Sequence, residues 1–261
     1  MTSSLPPAGV LQGAPHALAQ DRPSRVRWLG AVADGAPWLV LIHGGQSTVP
    51  KLEAALPGSH AVAVYREGLS SGYSEVSGLA KEYPTLRKML AEHAPGWAPG
   101  TPLVVLGYSA GGWALRYYLR DAQARGDVTA AIFLDSLYGA PGGVCDLGPY
   151  QGVVAYGKEA NASPSTKRLI MTYSQAHPAP GTCSQAVKKA CGLGSGVIVQ
   201  GYANADHGAQ QGVAGPAAVK DYVTPWLGAR APGVGAKSGT WWPWVAAAGI
   251  AGLAFWKWGV S

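Results

Sequence analysis

Gly107-Tyr108-Ser109-Ala110-Gly111 places a serine between glycines, directly after the aliphatic run Leu103-Val-Val-Leu106 and directly before Gly112-Trp-Ala-Leu-Arg-Tyr-Tyr-Leu119. A strand running into a helix through so tight a turn forces the serine into a strained backbone conformation that lifts its hydroxyl clear. The neighbours must then lack bulk, and Gly107, Gly111 and Gly112 meet that demand. A helix starting at Ala110 aims its first amides and its positive dipole end at any oxyanion formed beside Ser109. That chemistry is nucleophilic attack on an acyl carbonyl, and it needs a base and a group to orient the base.

The elements that must hold these groups follow from hydrophobic patterning. Short apolar runs alternate with longer helix-like segments from Trp28 onward, which predicts strands joined by crossover helices in a mostly parallel sheet. Strands are expected at Trp38–Ile42, Ala61–Tyr65, Leu103–Gly107, Ala130–Leu134, Arg168–Tyr173 and Gly196–Gln200. Helices are expected near Pro84–His93, Ala110–Ala124, Tyr150–Ala160, Thr182–Cys191 and Pro216–Leu227. The fold class is α/β, with a mostly parallel central sheet flanked by helices over residues 28–227. Residues 1–27, spotted with Pro and Gly, read as a loose arm without a secretory signal pattern.

From about Trp38 to Leu227 the chain resembles the α/β-hydrolases, and Trp38-Leu-Val-Leu-Ile-His43-Gly44-Gly45 is similar to that family's third strand and His-Gly loop. The resemblance implies that an amide of Gly45, or of Gln46 one step on, joins the Ala110 amide in an oxyanion hole. It gives His43 a packing and hydrogen-bonding role. The family order of nucleophile, acid and histidine puts the base after the last strand, where Gly196-Val-Ile-Val-Gln200 leads to Asp206-His207-Gly208. His207 is therefore the expected base, with His177 as its rival. The acid departs from the commonest pattern, because no Asp or Glu lies between Glu159 and Asp206. Asp135, after Ala131-Ile-Phe-Leu134, occupies a position that some members use, and would hold the imidazole tautomer. Asp146, a different orienter, or a dyad without an acid are the alternatives. Asp206 adjoins the base too closely in sequence for the required geometry.

Together these residues imply a serine hydrolase, esterase-like, acting on a small-molecule or lipid-like acyl substrate without cofactor or metal. A catalytically degenerate, membrane- or particle-bound interaction module is the alternative. Trp113, Tyr138, Tyr150 and Tyr156 are available either to line an acyl pocket or to fill the core.

Composition excludes other classes. Charged residues make up 13% and apolar ones 48%, the balance of a folded chain. Of the formal charge of +6, three units come from Arg230, Lys237 and Lys257, and no basic run with interleaved aromatics marks a nucleic-acid surface. Cys145, Cys183 and Cys191 fit no zinc spacing. A helix from Thr182 would hold Cys183 and Cys191 about 12 Å apart, so Cys145 is one partner of any disulfide, and three free thiols are equally compatible.

Residues 228–240 are a Gly/Ala-rich linker by content. Residues 241–261 follow, with Trp241-Trp-Pro-Trp244 and Trp256-Lys-Trp258 enclosing small apolar residues, the arrangement of two interfacial aromatic belts. This segment is expected to be an apolar helix associating with a membrane or apolar assembly, although it is shorter than a usual span.

Overall fold

The computed structural model describes residues 9–10, 24–28, 38–42, 60–66, 87, 98–138, 144–176, 178–210 and 212–229. Eight strands among them form one sheet: β1 Gly9–Val10, β2 Ser24–Trp28, β3 Trp38–Ile42, β4 His60–Arg66, β5 Leu103–Tyr108, β6 Val128–Leu134, β7 Arg168–Ser174 and β8 Val197–Tyr202. Their order is β1-β2-β4-β3-β5-β6-β7-β8. From β4 to β8 every pairing is parallel, and β2 and β1 close one side antiparallel. Helices α1 Gly111–Tyr118, α2 Ala122–Asp127, α3 Gln151–Ala162, α4 Pro178–Cys191, α5 Ala214–Ala218 and α6 Thr224–Ala229 follow the strands, with a π turn Val219–Val223 joining the last two.

Continuous apolar strands are what a sheet covered on both faces requires. Along β5, Leu103 and Val105 enter one core while Val104, Leu106 and Tyr108 enter the other. The same alternation runs through β6, where Ala131 and Phe133 face one core and Ala130, Ile132 and Leu134 the other. The first core is completed by Leu115 and Tyr118 of α1, Val153 and Tyr156 of α3, and Cys183 and Val187 of α4. The second is completed by Ala218, Val223 and Trp226.

The α/β class and the six expected strands stand, each within two residues of its predicted ends. Two corrections apply. Residues 9–10 and 24–27 of the stretch read as a loose arm lie in strands, the second running on to Trp28, and Ser24-Arg-Val-Arg-Trp28 has the period-two alternation of an antiparallel strand, hidden among Pro- and Gly-rich neighbours. The single helix expected at Ala110–Ala124 is two, because Asp121 takes an extended conformation and its carboxylate caps the amide of Ala124 at 2.8 Å. The helix expected near Pro84–His93 lies outside the described residues except for helical Arg87. The linker beyond Ala229 and the tail 241–261 also lie outside them. Among the described residues no helix is long and apolar enough to cross a membrane.

Cys145 and Cys183 form a disulfide, and Cys191 is free and buried. The bond ties the segment before α3 to α4. Burial pushes the Cys191 thiol up to about 11, against a lowering by Lys158.

Candidate active site

Parallel strands deliver their following loops to one edge of the sheet, and the candidate residues come from three of those loops. Ser109 follows β5, Asp135 follows β6 and His207 lies beyond β8. Both Ser109 (φ 50°) and Asp135 (φ 44°) sit in the left-handed region that non-glycine residues rarely adopt. Neighbouring strands hold these strained turns: the Ser109 amide donates to the Leu134 carbonyl at 3.1 Å, and the Asp135 amide to that of Thr172 at 3.0 Å.

Local sequence explains how the serine turn closes. A Cβ on Gly107 would lie 2.8 Å from the carbonyl oxygen of Gly111, and one on Gly112 would lie 2.3 Å from Ser136 Oγ. Glycine is thus demanded at both positions by close approach. The turn runs into α1 through its N-cap Ala110, and helix geometry gives the amide of an N-cap no acceptor within its own helix.

A hydrogen-bonded chain connects the three side chains. His207 Nε2 lies 2.9 Å from Ser109 Oγ, and His207 Nδ1 lies 2.6 Å from Asp135 Oδ2. Asp135 is fully buried, and its second oxygen accepts the Ser174 amide at 3.0 Å. A carboxylate only accepts, so Nδ1 carries the proton and the lone pair of Nε2 faces the serine hydroxyl. Ser109 can then pass its proton to Nε2 as Oγ attacks an electrophilic carbon.

The other carboxylates are committed elsewhere. Asp146 Oδ1 accepts the Gly148 amide at 2.8 Å, and Asp206 Oδ1 accepts that of Ala209 at 2.7 Å. Both cap turns. His177, His43, Gly45 and Gln46 lie outside the described residues, so the expected second oxyanion amide does too.

Tyr108 and Gln210 were not legible beforehand as partners of the site, and Tyr138, one of the aromatics available for a pocket, lies beside Ser109 and His207. Tyr108 donates its hydroxyl to the His207 carbonyl at 2.8 Å, and its ring stacks on the imidazole with centroids 5.1 Å apart. Buried Gln210 pins the same loop, accepting from Thr172 Oγ1 and donating to the Ala205 carbonyl, both at 3.1 Å. The Tyr138 hydroxyl lies 3.5 Å from Ser109 Oγ and 3.4 Å from each imidazole nitrogen. The spacing Asp135-Ser-Leu-Tyr138 is the one sequence signal for it, since an acid at the sheet edge carries the next few residues past the site. Tyr150 and Tyr156, by contrast, are core, and Trp113 packs against the core with the Arg116 guanidinium 4.8 Å from its ring centre. Among the described residues no cluster of three His, Cys, Asp or Glu could hold a metal ion.

No protein-family model matches the chain, and no curated protein matches it in sequence. Solved structures do. Esterase 2 of Thermogutta terrifontis, phosphonylated by cyclosarin, superposes with a TM-score of 0.55 at 17% identity, over 88% of this chain and 98% of that one. The Pyrobaculum calidifontis esterase superposes with a TM-score of 0.51 at 17% identity, over 77% of this chain and 80% of that one. The chain has the α/β-hydrolase fold. In that α/β-hydrolase sheet the serine turn of this chain sits at the end of the central strand β5, and the carboxylate comes from the end of β6, while the end of β7 contributes backbone partners to Asp135, the Ser174 amide and the Thr172 carbonyl, and no carboxylate.

Proposed function

We propose that this α/β-hydrolase cleaves carboxylic esters through a covalent acyl-enzyme, with Ser109 as nucleophile, His207 as general base and acid, and Asp135 as the group that fixes the imidazole. The observation that carries it is the unbroken chain Ser109 Oγ, His207 Nε2, His207 Nδ1, Asp135 Oδ2, with links of 2.9 and 2.6 Å. Ser109 Oγ bonds to the carbonyl carbon as its proton passes to Nε2. The carbonyl electron pair moves onto oxygen, opposite the amide of Ala110, with the Gly45 amide as its expected companion. Collapse expels the alcohol, which takes the proton from Nε2. Water then repeats the sequence on the acyl group and restores Ser109.

The esterase names of the solved structures with this fold agree with an ester as substrate. A non-catalytic module would draw its support from the acid missing after β7. The carboxylate reaching His207 from β6 removes that support. On the composition of Trp241–Trp258 alone, we also propose that the hydrolase is tethered to a bilayer or apolar assembly.

The test is a fluorophosphonate label with a panel of acyl esters of increasing chain length. The wild type should label at Ser109 and turn over esters. Ser109→Ala should lose both, with turnover down about 10⁴-fold or more while the fold is retained. Activity above about a tenth of wild type in Ser109→Ala would exclude the mechanism.

A further inference from the structure

Tyr138 touches the reacting groups without belonging to the chain that joins them. Its hydroxyl lies 3.5 Å from Ser109 Oγ and 3.4 Å from Nε2, the third corner of a triangle whose short side is the 2.9 Å serine–imidazole bond. Both imidazole nitrogens are already committed, one to Ser109 and the other to Asp135. The phenol therefore completes neither hydrogen bond; it stands where a further oxygen approaching Ser109 from the imidazole side would meet it.

Two oxygens other than Oγ sit on the carbon that Ser109 attacks. The oxyanion turns toward the amide at the start of α1, while the leaving-group oxygen must turn toward Nε2 to receive its proton. The Tyr138 hydroxyl, 3.5 Å from Oγ and 3.4 Å from each imidazole nitrogen, lies within reach of an oxygen that sits on the attacked carbon and receives the Nε2 proton.

We propose that Tyr138 is a further catalytic residue of this chain, donating a hydrogen bond from its phenol to the leaving-group oxygen as the ester carbon–oxygen bond breaks. The inference rests on the serine hydrolase reading above. As that bond breaks, its electron pair stays on the departing oxygen, the Nε2 proton moves onto that oxygen, and the carbonyl reforms on the acyl-enzyme. The phenol keeps its own proton and spreads the developing charge. In deacylation the attacking water occupies the same place, and its oxygen meets the same hydroxyl.

Two observations support a donor held in place for this task. Burial pushes the Tyr138 phenol up to about 12, despite the lowering effect of its Ser109 contact, so it remains a donor wherever the imidazole can act as base. Its backbone is pinned as well: Tyr150 Oη donates to the Tyr138 carbonyl at 2.6 Å, and Tyr150 is buried with the Arg116 guanidinium 5.5 Å from its ring centre. Tyr150 is thus a positioning residue for Tyr138.

The experiment compares the wild type with Tyr138→Phe on esters that share one acyl group and differ in leaving group. A p-nitrophenolate departs without help and an alkoxide does not. The expected result is a fall in kcat/KM of about 10- to 100-fold for alkyl esters, against less than about threefold for the p-nitrophenyl ester. Tyr150→Phe, which keeps the phenol of Tyr138 but loosens it, should show the same selectivity more weakly. Equal losses on both ester classes, or none, would overturn the proposal, because a merely structural role cannot sense the leaving group. Fluorophosphonate labelling separates the two readings. A wild type that labels, with Tyr138→Phe uniformly impaired, sinks only the role of Tyr138. A wild type that does not label sinks the hydrolase reading together with it.

Discussion

Asp135 spends both carboxylate oxygens on donors, one on His207 Nδ1 and one on the Ser174 amide. An amide at this position keeps the shape but offers an N–H to one of two donors, which turns the imidazole toward the wrong tautomer. Asp135→Asn should therefore lower ester turnover by up to about 10⁴-fold with the fold intact. Asp146→Asn and Asp206→Asn, at residues whose carboxylates only cap turns, should leave kcat within a few-fold of wild type. Steady-state kinetics on the three variants checks the assignment. Strong loss in either capping variant with a healthy Asp135→Asn would reverse it.

Elements hold that geometry through close approach and one covalent tie. The end of β5 comes so near the start of α1 that a methyl group on Gly107 would meet backbone at 2.8 Å, and backbone cannot swing away as a side chain can. Gly107→Ala should cost about 1–3 kcal/mol of stability and displace Ser109 enough to depress activity more than stability alone explains. Calorimetry alongside kinetics would reveal both. The Cys145–Cys183 disulfide fastens the segment that follows Tyr138 to α4, across 38 residues of sequence. In the chain-entropy account a loop of that length contributes about 4 kcal/mol. Reduction should lower the melting temperature markedly, and Cys145→Ser with Cys183→Ser should reproduce the effect without reductant. An unchanged melting temperature would mean that the bond does not form in the folded protein.

At the scale of the whole molecule, the described residues make a single sheet with helices on both faces, and the described structure ends at Ala229. Trp241–Trp258 lies beyond it. The proposed tether predicts that the full chain floats with liposomes, that a chain ending at residue 229 stays in solution, and that the two hydrolyse a soluble ester at equal rates. Should the shortened chain unfold, or the full chain ignore liposomes, the tail serves the folded domain instead and the tether fails.

Local information was enough for much of this. Aliphatic runs of four to six residues separated by helix-length segments determine a parallel, doubly covered sheet, because only strands buried on both faces are apolar throughout. The serine turn was legible because its requirements are local, a strand end, small neighbours and a helix start within ten residues. The β2 strand, whose short alternation is hidden among Pro and Gly and which is completed by β4, and the break at Asp121, which depends on a cap, were not. What only the tertiary structure decided is the company Ser109 keeps. Asp135 and His207 are 72 residues apart and meet because β6, β7 and β8 lie side by side; Tyr138 reaches Ser109 and His207 through the turn that Asp135 begins. Hydrophobic periodicity specifies which face of an element is buried. Which side chains converge at a sheet edge depends on strand order and on backbone turns with positive φ, and a one-dimensional pattern carries neither.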